Sequence, residues 1–153
     1  MNNRNNWNTL TGLVLLVLMF GINACSKSSD SDSEEFSGNI IGVWHAVSQE
    51  DKTGLTEYDD NTGVVFTLRS NQTYTWEVLS SNPNHITSKT EGTYYYSPEL
   101  KTIDCKGTQK AGPLVVKDDV CYMIQKLTNK TLVVKYDINI EKYGVTTYTF
   151  KRI

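Results

Sequence analysis

The sequence predicts an all-β fold: a single eight-stranded antiparallel up-and-down barrel, with a β-sandwich as the alternative. Three observations predict it. From Gly38 onward, apolar residues alternate with polar ones instead of recurring at helical spacing. The apolar set is mainly β-branched and aromatic, the side chains that pack well on a pleated surface. Short turns join consecutive segments, so neighbours in sequence stay neighbours in space, which favours a meander over a sandwich. Eight strands is also the number at which such a sheet can close and lose its exposed edges.

Strands are expected over residues 40–49, 64–69, 73–80, 86–96, 100–105, 119–127, 131–138 and 144–152. In the second and third, Val64, Phe66 and Leu68 share one face, and Tyr74, Trp76 and Val78 continue it after a turn at Ser70-Asn71. One large apolar face against one polar face describes a hairpin covered on one side. The fourth and fifth, "EGTYYYSPELKTIDC", repeat the pattern around Ser97-Pro98-Glu99. The sixth and seventh repeat it around Thr128-Asn129-Lys130, with Tyr122, Ile124, Leu132, Val134 and Tyr136 facing inward. Two connections are long, Glu50 to Gly63 and Lys106 to Asp118. The first reads as a lid or excursion, and the second, with Gly107, Gly112 and Pro113, as surface punctuation.

The chain begins differently. Met1 to Asn8 is polar with Arg4 as its one charge, and Leu10 to Phe20 is almost wholly apolar. A basic start and a short apolar run suit a signal peptide and fall short of the roughly 20 apolar residues of a membrane span. The run closes on Ile22-Asn23-Ala24-Cys25, which resembles the lipobox of bacterial lipoproteins. That resemblance implies cleavage after residue 24, a lipid on Cys25, and attachment to a bacterial outer membrane on its periplasmic or cell-surface side. The "SKSSDSDSEE" that follows has nothing to bury and reads as a disordered tether over 25–37. It also resembles the acidic export signals of surface lipoproteins in the Bacteroidetes. Residues 38–153 then form one domain, long enough for a single core.

With Cys25 taken by lipid, Cys105 and Cys121 remain, in a compartment where leftover cysteines often pair. If the strands flanking 106–118 pair antiparallel, a Cys105–Cys121 bridge closes a loop of about 15 residues, worth roughly 3 kcal/mol in the chain-entropy model. A disulfide is therefore expected in preference to two separate thiols.

Little else points to chemistry. The formal charge is −2, with lysines scattered along the domain, so no basic face for nucleic acid is expected. His45 and His85 are the two histidines; His45 is expected to point outward and His85 lies in a turn. Neither belongs to a zinc-spaced cluster or has a nucleophile motif beside it. Glu57, Asp59, Asp60 and Asn61 lack the ligand spacing of a calcium loop and read as a solvated turn. No metal, cofactor or catalytic residue is expected, and the chain is not read as an enzyme. The sequons at Asn71 and Asn129 coincide with hairpin turns, where Asn and Thr belong in any case.

The strands together resemble a lipocalin-like domain of the kind common in Bacteroidetes lipoproteins. The likeness rests on "IIGVWHAVS", which holds a Gly-x-Trp as Gly42-Val43-Trp44, and on "LRSNQTYTW", "EGTYYY", "IQKLTNKTLVV" and the terminal "YTFKRI". It covers nearly all of 38–153. It implies that Trp44 crosses the closed end of the barrel beneath a basic side chain from the last strand, Arg152, with Gly42 at the same closure.

A barrel of this size is either filled by side chains or hollow. If it is hollow, Phe66, Tyr74, Trp76, Tyr94, Tyr96, Tyr122, Tyr136 and Tyr148 are the candidate ligand-binding residues, lining an amphipathic pocket. The expected function is then a lipid-anchored module holding a small apolar or amphipathic molecule. If it is filled, the expected function is a surface interaction or structural protein with a protein partner.

Overall fold

A computed structural model describes residues 36–80, 86–111, 113–137 and 144–153. The expected leader, Cys25 and almost all of the expected tether lie outside the described residues, as does His85.

The chain forms a closed antiparallel barrel. Its strands are β1 Gly42–Asp51, β2 Gly54–Glu57, β3 Gly63–Leu68, β4 Thr73–Leu79, β5 Ile86–Ser97, β6 Thr102–Ala111, β7 Leu114–Leu127, β8 Thr131–Asp137 and β9 Val145–Arg152. From β3 to β9 each strand pairs with the next, and β1 lies between β3 and β9. The first and last strands of the meander meet over Trp44↔Arg152 through Glu50↔Thr147, with a bulge between Ala46 and Ser48. Eight strands thus close the ring, and β2 is added to it.

β2 corrects the expected lid. Residues 50–63 are not an open loop: β1 runs on to Asp51 and turns back, and β2 pairs with it from Ser48↔Glu57 to Asp51↔Gly54. β3 takes the same edge of β1 lower down, from Gly42↔Leu68 to His45↔Val65. β2 and β3 are therefore one interrupted partner strand, separated by a short excursion at 58–62. Asp59 Oδ1 accepts the Asn61 backbone N–H and the Thr62 hydroxyl, each at 2.9 Å, which ties the excursion into a turn. Gly63 re-enters the sheet at φ +91°, and a side chain there would collide with the Tyr58 ring.

The second expected loop is also strand. β6 and β7 pair continuously from Thr102↔Met123 to Ala111↔Leu114, so 106–118 is a long hairpin arm and not surface punctuation. Gly107 stands opposite Gly92 within it. A Cβ at either glycine would strike the neighbouring strand's backbone, and one at Gly107 would also strike the Tyr74 hydroxyl. Glycine here marks a close approach across two strands.

That register decides the cysteines. Cys105 pairs with Val120, and Cys121 with Asp104. The offset of one residue sends the two side chains to opposite faces of the sheet, because alternation has period two. Cys105 is buried, Cys121 is exposed, and both are free, so the expected disulfide does not form. Their Cβ vectors diverge, which no rotamer change corrects. Burial, followed by the neighbouring Asp104 and Asp118 charges, pushes the Cys105 thiol far up. Burial and the hydrogen-bonded Asp104 push Cys121 up to about 11. Alkylation of the native protein should therefore modify Cys121 slowly at pH 8 and faster as pH rises toward 11, because only the thiolate reacts. Cys105 should stay unmodified until the protein unfolds. Peptide mapping checks both, and a Cys105–Cys121 cross-linked peptide in a non-reducing digest would refute the register.

The core fills the end of the barrel that holds the turns at 69–72, 98–101 and 128–130. Trp44, Phe66, Ile103, Leu127, Leu132, Val134 and Phe150 are completely inaccessible there. The segment before β1 crosses this end: Phe36 forms a bridge to Leu127, and Gly38 N–H donates to the Leu127 carbonyl at 3.1 Å. Arg152 caps it, its guanidinium 4.1 Å from the centroid of the Trp44 ring. Arg152 Nε donates to Asn129 O and Nη1 to Ile41 O, both at 2.7 Å, and Nη2 donates to Asn39 O. Trp44 Nε1 donates to the Ile40 carbonyl at 2.9 Å. A side chain at Gly42 would run into the guanidinium, so glycine there leaves room for the cap.

Candidate functional site

At the opposite end the strands outrun the core. Inward-facing Trp76, Val78, Val120 and Tyr136 are only partly buried, although they pack against it. Barrels are filled or hollow according to how side chains meet across the lumen. This one is both: filled at the closed end and along β1, β3 and β9, where Ala46, Val64 and Thr146 are buried, and open on the side of β4 to β8.

The dividing layer is a set of interlocked rings. Phe66 touches four others, with centroids 6.1 Å to Tyr74, 5.1 Å to Trp76, 5.5 Å to Tyr122 and 6.1 Å to Phe150. Trp76 stacks on Tyr122 at 5.3 Å and 17°. Tyr136 meets Tyr122 edge-on at 5.2 Å and 62°, and stacks on Tyr148 at 6.1 Å and 12°. Each such pair adds about 0.5–1.5 kcal/mol beyond area burial. The result is a floor of fixed rings.

Above this floor lies a cavity of about 620 Å³, lined by Trp76, Thr90, Gln109, Asp118, Asp119, Val120, Cys121, Tyr122, Met123 and Tyr136. Its volume falls within the roughly 300–1,000 Å³ of small-molecule sites. Outward-facing residues of β7 (Asp119, Cys121 and Met123) reach it for a topological reason. β8 pairs with β7 from Met123↔Lys135 downward, and no described strand lies against the β7 edge from Leu114 to Tyr122. The wall is parted there, and the cavity opens over the free edge.

The eight candidate ligand residues do not all meet. Trp76, Tyr122 and Tyr136 line the cavity. Phe66, Tyr74 and Tyr148 are buried in or beside the floor. Tyr94 and Tyr96 belong elsewhere: the Tyr94 hydroxyl donates to the Arg69 carbonyl at 2.8 Å, tying down the closed-end turn at 69–72. Tyr96 lies two residues farther along β5, away from the mouth. Both are removed from the candidate set by position along the barrel axis, which alternation does not reveal.

Four polar lining residues escaped the sequence reading, and Asp118 matters most. It sits on the inward face of β7 with Val120 and Tyr122, and its Oδ2 accepts the hydroxyl of buried Thr90 at 3.2 Å. Gln109 is held by its Nε2, which donates to Ser88 Oγ at 2.8 Å. The signal was present in the period-two series Ile124, Tyr122, Val120, Asp118, but the strand was expected to start at 119.

The phenols around the cavity are strongly protonated. Burial, opposed by the hydrogen bond with Tyr148 and reinforced by the Asp118 and Asp51 charges, pushes Tyr136 up to about 12. Burial raises Tyr122 and Tyr148 well above the usual phenol range. They act as hydrogen-bond donors and apolar walls, not as bases. His45 is remote from all this. It points outward as expected, but the 58–62 excursion covers it, with Nε2 2.9 Å from the Thr62 carbonyl. Among the described residues, no three His, Cys, Asp or Glu side chains are gathered as a metal would need.

No protein-family model matches the chain, and no curated protein is significantly similar to it.

Proposed function

We propose that this chain is a lipocalin-like binding module, held to a bacterial outer membrane by a lipid on Cys25, that carries a small amphipathic molecule at the open end of its barrel. The observation that carries this reading is the half-filled interior: a cavity of about 620 Å³ resting on a rigid aromatic floor. A barrel needed only as scaffold gains stability by filling its lumen, since each buried Leu or Phe contributes about 1.5–3 kcal/mol. An open upper half forgoes that contribution. Binding is favoured over catalysis because the groups nearest the cavity are protonated phenols and hydrogen-bonded amide and carboxylate side chains.

Filling the cavity tests the proposal. Val120 lines it and is only partly buried, so Val120→Trp should fold while occupying the space. Native mass spectrometry of gently extracted protein should find a small molecule on the wild type and none on Val120→Trp. Equal occupancy of the two, or none on either across several extracts, would remove the container reading. A second reading, a surface-interaction protein, draws on the tip of the β6–β7 arm, where Leu114, Val115 and Val116 are all exposed. A reproducible protein partner lost on Val115→Lys would favour it.

A further inference from the structure

Among the described residues, the cavity carries one unbalanced charge. Of its two lining carboxylates, Asp119 is neutralised by Lys117, with Nζ 2.8 Å from Oδ2. Asp118 has no cationic partner among the described residues. The ion pairs there join Lys89 to Glu77 and Glu91, and Lys117 to Asp119. Among the described residues, its side-chain hydrogen bond comes from the neutral Thr90 hydroxyl. No lysine or arginine appears in the lining.

An anionic ligand would meet this carboxylate with nothing to offset the repulsion. A wholly neutral ligand would displace water from Asp118 and leave a desolvated charge unpaired, which is costly. A cation removes both problems. The walls suit a cation as well, since the faces of Trp and Tyr attract positive charge within about 6 Å of the ring centre. Trp76 and Tyr122 present near-parallel rings, and Tyr136 turns 62° from Tyr122, so the aromatic wall has a corner. Gln109 adds an acceptor: its amide nitrogen is engaged with Ser88, which leaves its carbonyl oxygen for an incoming N–H.

Resting on the container reading above, we propose that the ligand is an amphipathic amine. Its protonated nitrogen pairs with Asp118 and the Gln109 carbonyl oxygen, and its apolar or aromatic body lies against Trp76, Tyr122, Tyr136 and Val120. The Asp118 charge adds to the upward shift that burial gives Tyr74, Tyr122 and Tyr136, so its field reaches the ring layer. N–H donors distinguish the proposed ligand from a quaternary ammonium, which has none to offer Gln109.

Two matched series test the inference on the full chain, read by Trp fluorescence and calorimetry: decylamine, decanol and decanoate, and tryptamine, tryptophol and indole-3-acetate. In at least one series the amine should bind 10-fold or more tightly than the alcohol, and the carboxylate should bind weakest. Asp118→Asn keeps an acceptor for Thr90, so its thermal unfolding should match the wild type. Its affinity for the amine should fall at least 10-fold, while the alcohol, no longer burying an unpaired carboxylate, should bind at least as tightly as it does to the wild type. An alcohol or carboxylate that binds as well as its amine overturns the charge assignment and leaves the container reading standing. Absence of binding by all six overturns both. An amine preference that persists in Asp118→Asn overturns the role of Asp118.

Discussion

Trp44→Ala should destabilise the protein by about 3–5 kcal/mol, the range for deleting a fully buried large aromatic side chain, and lower the melting temperature by more than about 10 °C. The ring is completely inaccessible and has two roles in closing the barrel. Its face lies under the Arg152 guanidinium, and its Nε1–H satisfies the Ile40 carbonyl of the segment that crosses the closed end. Alanine removes the packing, the hydrogen bond and the platform on which the arginine rests. Trp44→Phe separates these: it keeps a ring but leaves the buried Ile40 carbonyl short of a donor, at a cost nearer 1–3 kcal/mol. Arg152→Met should cost less than Trp44→Ala, because three of its carbonyl partners lie where water can replace the guanidinium. Urea unfolding of the three variants checks the order. A Trp44→Ala loss below 1 kcal/mol would mean that this end is closed by something else.

Phe66→Ala should cost a similar 3–5 kcal/mol, for a different reason. Phe66 is the hub of the ring layer, in contact with Tyr74, Trp76, Tyr122 and Phe150. Its removal leaves a void at the base of the cavity and takes away four ring pairs together. Trp76→Ala provides the contrast. Trp76 forms as many ring contacts but borders the cavity, so water can enter the space it leaves, and the loss should be smaller, about 1–2 kcal/mol. Phe66 and Phe150 touch, so their double variant should depart from additivity by more than 0.5 kcal/mol. If Trp76→Ala proves as damaging as Phe66→Ala, the upper half of the barrel is packed and the cavity is not a container. Denaturant midpoints with unchanged m values settle it.

Much of this architecture could be read along the chain, because alternation is a local property. Period two alone predicts that Val64, Phe66, Leu68, Tyr74, Ile124, Leu132 and Val134 face inward, and all are buried. The hairpins at 69–72, 97–101 and 128–130 were equally visible, since turn residues act through their own backbone preferences. The β6–β7 arm was not, and the reason is physical. Leu114, Val115 and Val116 are exposed toward its tip, and nearer the barrel its inward side chains Gln109 and Asp118 border the cavity, so no buried apolar stripe is written into it. A strand without a core on either side looks like a loop to any reading based on hydropathy.

Register across strands is the other thing that no stretch of residues carries. Whether Cys105 faces Cys121 depends on a one-residue offset set by how the whole β6–β7 ladder aligns, and that offset separates them. Tyr94 and Tyr136 look alike in sequence, yet one ties down a closed-end turn and the other borders the cavity, because position along the barrel axis follows from shear around the ring. Chain-local chemistry thus established a meandering β domain with an aromatic interior. Long-range packing alone determined where that interior stops, and at the opening it left Asp118 with no counter-charge among the described residues.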